Sequence, residues 1–294
     1  MKKRLIWVII GLISLFIFSC EKKQESESVS SETLRFKLTK KWATTQELKV
    51  PESVLYDDAR DILYISNING SPLEKNSKGF ISKVTLSGEI ENLEWVAGLN
   101  APKGSGIWQN KFYVTDIDEL VEIDIETGKI LNKYLAENAV FLNDVSVDDS
   151  GNVYVSDMSA ENSVIYKFFN GKLEFWLQDE QISRPNGLFV ENGKLFVGTG
   201  DGFLKRVDLK DKSISTFAET GFGIDGVQSD GKGNFLVSDW QGKTAFVSSS
   251  GEVKELMNTA DSNINSADIE FIPDKQLLLI PTFFDNRVMA YLLA

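Results

Sequence analysis

The sequence predicts an all-β protein that folds as a six-bladed β-propeller with four-stranded blades. Three observations support this prediction: a repeat of about forty residues, four short strands in each repeat, and the lack of an amphipathic helix between them. Each repeat opens on a polar residue, continues as an apolar strand, turns, and returns in a second strand that ends in a small or acidic residue. The six opening residues, which we call lead residues, are Glu52, Lys103, Asn143, Asn186, Asp225 and Asp268.

A second pair of short strands completes each repeat. In the third repeat this pair covers residues 164–177, and Asn170-Gly171 supplies the tight turn of a hairpin. The sixth repeat has only three strands, and we expect residues 34–44 to supply the fourth strand of that blade and to close the ring. The predicted propeller therefore spans residues 34–294.

The first twenty residues have the features of an export signal and lie outside the predicted propeller. Three basic residues at positions 2–4 precede an apolar run at positions 5–18 that contains a single serine, and Ser19-Cys20 follows. The segment resembles a bacterial lipoprotein signal, in which Cys20, the only cysteine of the chain, becomes the lipidated N-terminus. A plain signal peptide with an incidental cysteine is the alternative. Residues 21–33 are polar and low in complexity, which is typical of a flexible tether.

Composition excludes several kinds of chemistry and partner. The chain has no histidine, which excludes Ser-His-Asp and Cys-His catalysis and the HExxH zinc site; one cysteine excludes an intrachain disulfide. The formal net charge of −12 disfavours nucleic acid and anionic lipid headgroups as partners. We therefore expect a small-molecule substrate. Membrane contact is expected only through the N-terminal lipid of an envelope lipoprotein that faces the periplasm or the cell surface.

The lead residues predict a divalent metal site in the central channel. The innermost strand of each blade lines that channel, so the lead residues converge on one small volume. Glu52 and Asp225 offer carboxylate oxygens, and Asn143 and Asn186 offer amide oxygens, the hard ligands that Ca²⁺ prefers. The alternative is that Asn186-Gly187 and Asp225-Gly226 are hairpin turns. Lys103, at the same position in the second repeat, cannot bind a cation.

Four short motifs around these residues resemble the gluconolactonase and regucalcin-like (senescence-marker-type) six-bladed propellers. They are Pro51-Glu52-Ser53, Leu142-Asn143-Asp144, Arg184-Pro185-Asn186-Gly187 and Asp225-Gly226. The order Glu, Asn, Asn, Asp is also similar to that of the calcium site of diisopropyl fluorophosphatase. The resemblance implies that Glu52, Asn186 and Asp225 bind calcium directly, and that Asn143 either binds it or holds a metal-bound water and the substrate.

The function expected from this site is calcium-dependent hydrolysis of a lactone or a related ester. Asp225 is then the general base for water or attacks the carbonyl directly, with Asn143 as a second catalytic residue. Lys103 and Asp268 contact the substrate or form a buried ion pair across the channel. The alternative function is a non-catalytic, calcium-stabilised propeller that binds a ligand or a protein.

Aromatic residues near the lead positions predict a pocket with apolar walls. Phe141 stands where sugar-lactone members of the resembling family carry an arginine, and a phenyl ring offers no hydrogen-bond donor to a sugar. Trp240, Phe283 and Phe284 each follow a second strand, at the same end of the propeller. The long polar insertion at residues 67–79 is expected to be a mobile loop over the channel mouth.

Substitution of the only cysteine tests the predicted lipid anchor. We expect Cys20→Ser to release the exported protein from the membrane fraction, because the variant has no thiol to lipidate. The measurement is immunoblotting of membrane and soluble fractions, with a resident lipoprotein as the fractionation control. A variant whose membrane fractionation is unchanged from wild type would contradict the predicted lipid anchor at Cys20.

Overall fold

The computed structural model describes residues 36–294 and confirms the predicted fold class. These residues form 24 strands arranged in six four-stranded antiparallel sheets, with three short 3₁₀ helices and no α-helix. No helix in this part of the chain is both long and apolar enough to cross a bilayer. The predicted signal at residues 1–20, with Cys20, and the tether at residues 21–33 lie outside the described residues.

The strands follow the predicted repeats along the chain. The N-terminal strand is β1 (Leu38–Ala43). The first sheet contains β2 (Pro51–Asp57), β3 (Ile62–Asn67), β4 (Gly79–Thr85) and β5 (Ile90–Leu99). The second sheet contains β6 (Pro102–Trp108), β7 (Lys111–Asp116), β8 (Glu119–Asp124) and β9 (Ile130–Leu135). The third sheet contains β10 (Leu142–Val147), β11 (Val153–Asp157), β12 (Val164–Phe169) and β13 (Lys172–Leu177).

The second half of the chain repeats this arrangement. The fourth sheet contains β14 (Pro185–Glu191), β15 (Lys194–Thr199), β16 (Phe203–Asp208) and β17 (Ile214–Glu219). The fifth sheet contains β18 (Val227–Ser229), β19 (Phe235–Asp239), β20 (Lys243–Val247) and β21 (Val253–Asn258). The sixth sheet contains β22 (Glu270–Ile272), β23 (Leu277–Pro281), β24 (Val288–Leu293) and, at its outer edge, β1. The 3₁₀ helices are Ala260–Ser262, Pro273–Lys275 and Phe283–Asp285.

The sixth sheet combines the two ends of the described chain. β1 pairs antiparallel with β24, from Leu38 opposite Leu293 to Ala43 opposite Met289. On the channel side, the amide of Asp268 donates to the carbonyl of Glu52 at 3.0 Å, which links the sixth blade to the first. The first strand of each blade contacts the first strand of the next, and β22 contacts β2 in turn.

The hydrophobic core lies between neighbouring sheets. Second strands such as β3 and β11 are buried along their whole length because they lie deep in a blade whose two faces both pack on neighbours. Between the first and second blades, the Tyr64 ring lies 5.1 Å from the Phe112 ring and 4.8 Å from the Trp95 ring, measured between centroids. Such aromatic contacts bury large apolar surfaces and fix how adjacent blades pack.

Glycine follows three of the lead residues because neighbouring innermost strands approach very closely. A β-carbon would lie 2.3 Å from Asp144 Oδ1 if added at Gly104, and 2.4 Å from the Asp225 carbonyl oxygen if added at Gly187. At Gly226 it would lie 2.6 Å from the backbone nitrogen of the next blade. Gly187 and Gly226 are not among the residues with positive φ, and Gly187 lies within β14. Their interpretation as hairpin turns is therefore wrong.

Candidate metal centre

A cavity of about 440 Å³ opens at one end of the central channel. It is lined by Glu52, Ile68, Pro72, Lys103, Phe141, Asn143, Met158, Asn186, Asp225, Trp240, Phe283 and Phe284. The polar members lie where first strands begin, and the apolar members lie mainly in the segments that precede first strands or follow second strands. The channel therefore has one end at which polar and apolar side chains meet.

Local irregularities in the strands position the lead residues. The pairing of β2 with β3 shifts between Pro51 and Ser53, at Glu52, and equivalent shifts occur at Lys103, Asn143 and Asn186. Such bulges re-aim a side chain away from the regular alternation of a strand. The sequence period located these positions along the chain, whereas the bulges determine the direction of the side chains.

Four buried oxygen atoms at this end of the channel have no hydrogen-bond partner. They are Glu52 Oε2, Asn143 Oδ1, Asn186 Oδ1 and Asp225 Oδ2. Leaving a buried polar atom unpaired costs about 1–3 kcal/mol, and more for a charged group, so four such atoms together require an explanation. All four belong to the side chains that the sequence predicts as metal ligands. A divalent cation with oxygen ligands fits this set.

The two amides can present their oxygens to a cation because their nitrogens donate to neighbouring side chains of the cavity wall. Asn186 Nδ2 donates to Asp225 Oδ1 at 2.6 Å, and Asn143 Nδ2 donates to the sulfur of Met158 at 3.0 Å. Each amide oxygen is left without a donor. The arrangement therefore offers two carboxylates and two amide oxygens, a hard donor set that suits Ca²⁺ rather than copper or thiolate-bound zinc.

The raised pKa values of the Glu52 and Asp225 carboxyl groups agree with a site for a divalent cation. Burial raises the pKa of Asp225 to about 7, against the lowering effect of the hydrogen bond from Asn186. Burial, and then the negative charge of Asp225, raise the pKa of Glu52 well above its usual range. Two ionised carboxylates in this volume repel each other, and a bound divalent cation would remove that repulsion. Within residues 36–294, no three His, Cys, Asp or Glu side chains form a metal-binding group, so the amides are needed to complete the set.

Lys103 is fully buried in the wall of the same cavity, with 1% of its surface exposed. Its ammonium donates to the Ala101 carbonyl at 3.0 Å and lies 4.9 Å from the centroid of the Phe141 ring. Burial lowers the pKa of Lys103 to about 8, against the raising effect of Glu52. Among the ion pairs of the described residues none involves Lys103, so the ion pair with Asp268 proposed from the sequence does not form.

The aromatic residues singled out in the sequence meet in this cavity. Trp240 contacts Phe283 and Phe284 edge to face, with ring centroids 5.5 and 5.9 Å apart, and Phe141 lines the cavity beside Lys103. Trp240 is 41% exposed and Phe284 is 62% exposed. Met158 also lines the wall; it follows β11 as Trp240 follows β19, a signal that could have identified it from the sequence.

The insertion between β3 and β4 contributes to the cavity, as expected from its place in the repeat. Ile68, which is 1% exposed, and Pro72 line the cavity wall. Asn67 belongs to β3 and Gly79 to β4, so the loop itself is limited to residues 68–78. An ion pair between Lys75 and Asp118 at 2.6 Å links the loop to the second blade.

Asp268 lies outside the cavity, unlike the other five lead residues. Its carboxylate accepts a hydrogen bond from Ser53 Oγ at 2.9 Å and lines a second cavity of about 230 Å³ with Asp144 and Glu270. The sequence predicts Asp268 to contact the substrate or to pair with Lys103 across the channel. The structure separates it from them because Asp268 precedes the short strand β22 and its side chain turns towards Ser53 of the first blade.

No protein-family model and no curated protein matches this chain. Solved structures do match at the level of fold. A protein described as a candidate gluconolactonase superimposes with a TM-score of 0.64 at 15% identity, covering 88% of this chain and 93% of the other. Virginiamycin B lyase from Staphylococcus aureus superimposes with a TM-score of 0.60 at 14% identity, covering 88% of this chain and 100% of the other.

The WD40 propeller domain of Doa1 matches almost as well. Its TM-score is 0.61 at 15% identity, with coverage of 81% of this chain and 77% of the other. Proteins with such different names share the architecture, and identities this low show the fold alone. A gluconolactonase-like propeller is therefore supported as a fold, and the function must be argued from the site.

The buried carboxylates of the second cavity predict a pH dependence of stability. Burial raises the pKa of Glu270 to about 7, although it accepts backbone hydrogen bonds from Tyr56 at 3.1 Å and Phe271 at 2.9 Å. A carboxyl whose pKa is raised on folding favours the native state at low pH, and this contribution is lost as pH rises towards 7. We expect Glu270→Gln to gain stability relative to wild type between pH 5 and 8, on the order of 2–3 kcal/mol.

The measurement is urea unfolding of both proteins at several pH values in that range. Glu174→Gln is the matched control, since the Glu174 side chain is 70% exposed. A difference between Glu270→Gln and wild type that does not change with pH would show that Glu270 has the same ionisation in the folded and unfolded chains.

Proposed function

We propose that this protein is a calcium-dependent hydrolase of a lactone or a related ester, with its site in the cavity of the central channel. The observation that carries the proposal is the group of four unpartnered oxygens on Glu52, Asn143, Asn186 and Asp225. These oxygens border a cavity whose other walls are mainly apolar. A polar centre inside an apolar pocket is the usual form of a site for a small organic substrate.

Each residue of the site has a defined part in this proposal. Glu52, Asn186 and Asp225 hold the cation, and Asn143 either completes the set or holds a metal-bound water and the substrate. A bound divalent cation would supply Lewis-acid polarisation of the substrate carbonyl and stabilise the negative charge that develops on its oxygen. The apolar walls exclude water from the substrate and orient its hydrocarbon portion.

Asp225 is the residue best suited to handle the proton. One of its oxygens is held by Asn186, and the other, Oδ2, has no donor. Oδ2 has two lone pairs, so while one binds the cation the other can take a proton from water as the water oxygen bonds to the carbonyl carbon. When the ester C–O bond breaks, the same proton passes to the leaving oxygen. In the alternative route Asp225 attacks the carbonyl itself, and water then hydrolyses the acyl intermediate.

The non-catalytic alternative is disfavoured by the surroundings of the four oxygens. A closed set of protein ligands would favour a structural ion, whereas these side chains line a cavity whose wall includes the partly exposed Trp240 and Phe284. Calcium takes six to eight oxygen ligands, so a set of four protein oxygens leaves positions for water and substrate. Open coordination positions beside a pocket favour catalysis over a scaffold role.

Calcium is expected to stabilise the fold. At a free concentration one hundred times its dissociation constant, a ligand that binds only the native state contributes about 2.7 kcal/mol. Excess chelator should therefore lower the melting temperature of wild type, as measured by circular dichroism. Glu52→Gln and Asp225→Asn should lose this response, because each removes one of the two charges that attract the cation.

The control for this experiment is Glu270→Gln, which removes a buried channel carboxylate outside the cavity and should keep the calcium response. Elemental analysis of the purified protein gives the identity and amount of metal. A wild-type melt that is the same with calcium and with chelator, in protein that contains no metal, contradicts the proposal.

Substrate preference should follow the apolar wall around Phe141. We expect aliphatic or aromatic lactones to be hydrolysed more efficiently than gluconolactone, with a chain-length trend, since one methylene in such a pocket contributes about 1–3 kcal/mol. Phe141→Arg should shift kcat/KM towards sugar lactones by supplying hydrogen-bond donors. Phe175→Arg is the matched control, because Phe175 is 60% exposed and lies outside the cavity. A wild-type protein that hydrolyses gluconolactone best, with an unchanged profile in Phe141→Ala, contradicts this assignment of the pocket.

A further inference from the structure

The ammonium of Lys103 has hydrogen-bonding capacity that the protein does not use. An ammonium group has three N–H donors, and Lys103 uses one of them on the Ala101 carbonyl. The Phe141 ring covers another side of the group, at 4.9 Å from its centroid. Because Lys103 is only 1% exposed and lines the cavity, its remaining donor capacity is available to a ligand in the cavity.

The nearby acidic side chains have other partners. Asp116 accepts hydrogen bonds from the backbone amides of Asn100 at 2.9 Å and Ala101 at 2.7 Å, and its carboxylate lies 4.0 Å from Lys133 Nζ. Glu52 is assigned to the cation in the proposed function. Lys103 therefore has no dedicated carboxylate partner once that cation is bound.

The charges of the loaded site leave one positive charge in excess. Glu52 and Asp225 provide two negative charges, a divalent cation balances both, and Lys103 adds one positive charge in a buried place. Asp144 and Asp268 line the second cavity instead, where the Leu188 amide donates to Asp144 and the Ser53 hydroxyl donates to Asp268. An unpaired buried charge is costly, so the site favours a ligand with one negative charge. A phosphate dianion would bring one negative charge more than is needed to balance Lys103, whereas a carboxylate brings the single negative charge that is needed.

We propose that the cavity binds an apolar carboxylate, with Lys103 donating a hydrogen bond to the carboxylate beside the metal and the aromatic wall enclosing the hydrocarbon portion. This inference rests on the metal site of the proposed function. It adds the chemical class of the ligand, a monoanionic acid with an apolar body, which is also the class of product that hydrolysis of an apolar lactone or ester releases.

Binding of an acid and its neutral amide separates this proposal from its alternatives. The probes are 4-phenylbutyrate and 4-phenylbutyramide, which have the same apolar body, titrated into the calcium-loaded full-length protein by calorimetry. Wild type should bind the acid about ten to one hundred times more tightly than the amide, the range that hydrogen bonds to charged groups supply. Lys103→Met should lose most of this preference, because it keeps the apolar stem and removes the charge.

Lys205→Met is the matched control, since Lys205 is also buried against a phenylalanine ring, at 4.4 Å from the Phe203 centroid, and lies outside the cavity. This variant should keep the wild-type preference for the acid. Lys103→Arg, which keeps the charge, should keep part of that preference.

Two results would overturn the inference while leaving the proposed function intact. The first is calcium-loaded wild type that binds the amide as tightly as the acid, a comparison that does not depend on any variant folding. The second is a Lys103→Met protein that keeps the full preference, which would show that the cation alone binds the carboxylate. Absence of calcium binding by wild type would instead overturn the proposed function, and this inference with it.

Discussion

The close approach of the six innermost strands around the channel is the constraint on which the rest of the structure depends. Backbone and side-chain atoms of adjacent blades lie so near Gly104, Gly187 and Gly226 that a β-carbon at any of them would overlap a neighbour. This crowding brings the lead side chains from separate blades into one small volume and excludes solvent from it. The unpaired oxygens and the raised carboxyl pKa values are both consequences of this exclusion.

Much of the fold could be predicted because local features of the sequence define the repeat. The polar lead residue and the alternating strands recur about every forty residues. Asn170 and Gly171 adopt the positive φ values of the predicted hairpin turn. The side-chain directions could not be predicted, because the bulges at the channel break the two-residue alternation. Asp268 illustrates the limit: its position in the repeat was predicted correctly, but its hydrogen bond to Ser53 turns it into the other cavity.

The type of ligand that the candidate site offers to a metal could be predicted from the residue types. The balance of positive and negative charges in the site could be determined only from the structure. Two carboxylates and two amides indicate a hard cation in any arrangement that brings them together. The repeat predicts Lys103 beside the other lead residues, whereas the contact of its ammonium with Phe141 and the lack of an ion pair depend on packing that no spacing reveals. The two ends of the channel also differ in kind, since the carboxylates of the second cavity receive hydrogen bonds from the protein itself.

The pairing of β1 with β24 has a consequence for access to the cavity. Leu38 lies opposite Leu293, at the end of β24 remote from the residues that follow β23, whereas Phe283 and Phe284 belong to the segment between β23 and β24 that borders the cavity. The described chain therefore begins at the face opposite the cavity mouth. No residue of β1 lines the cavity, so a solute that enters the cavity does not pass the strand that completes the sixth blade.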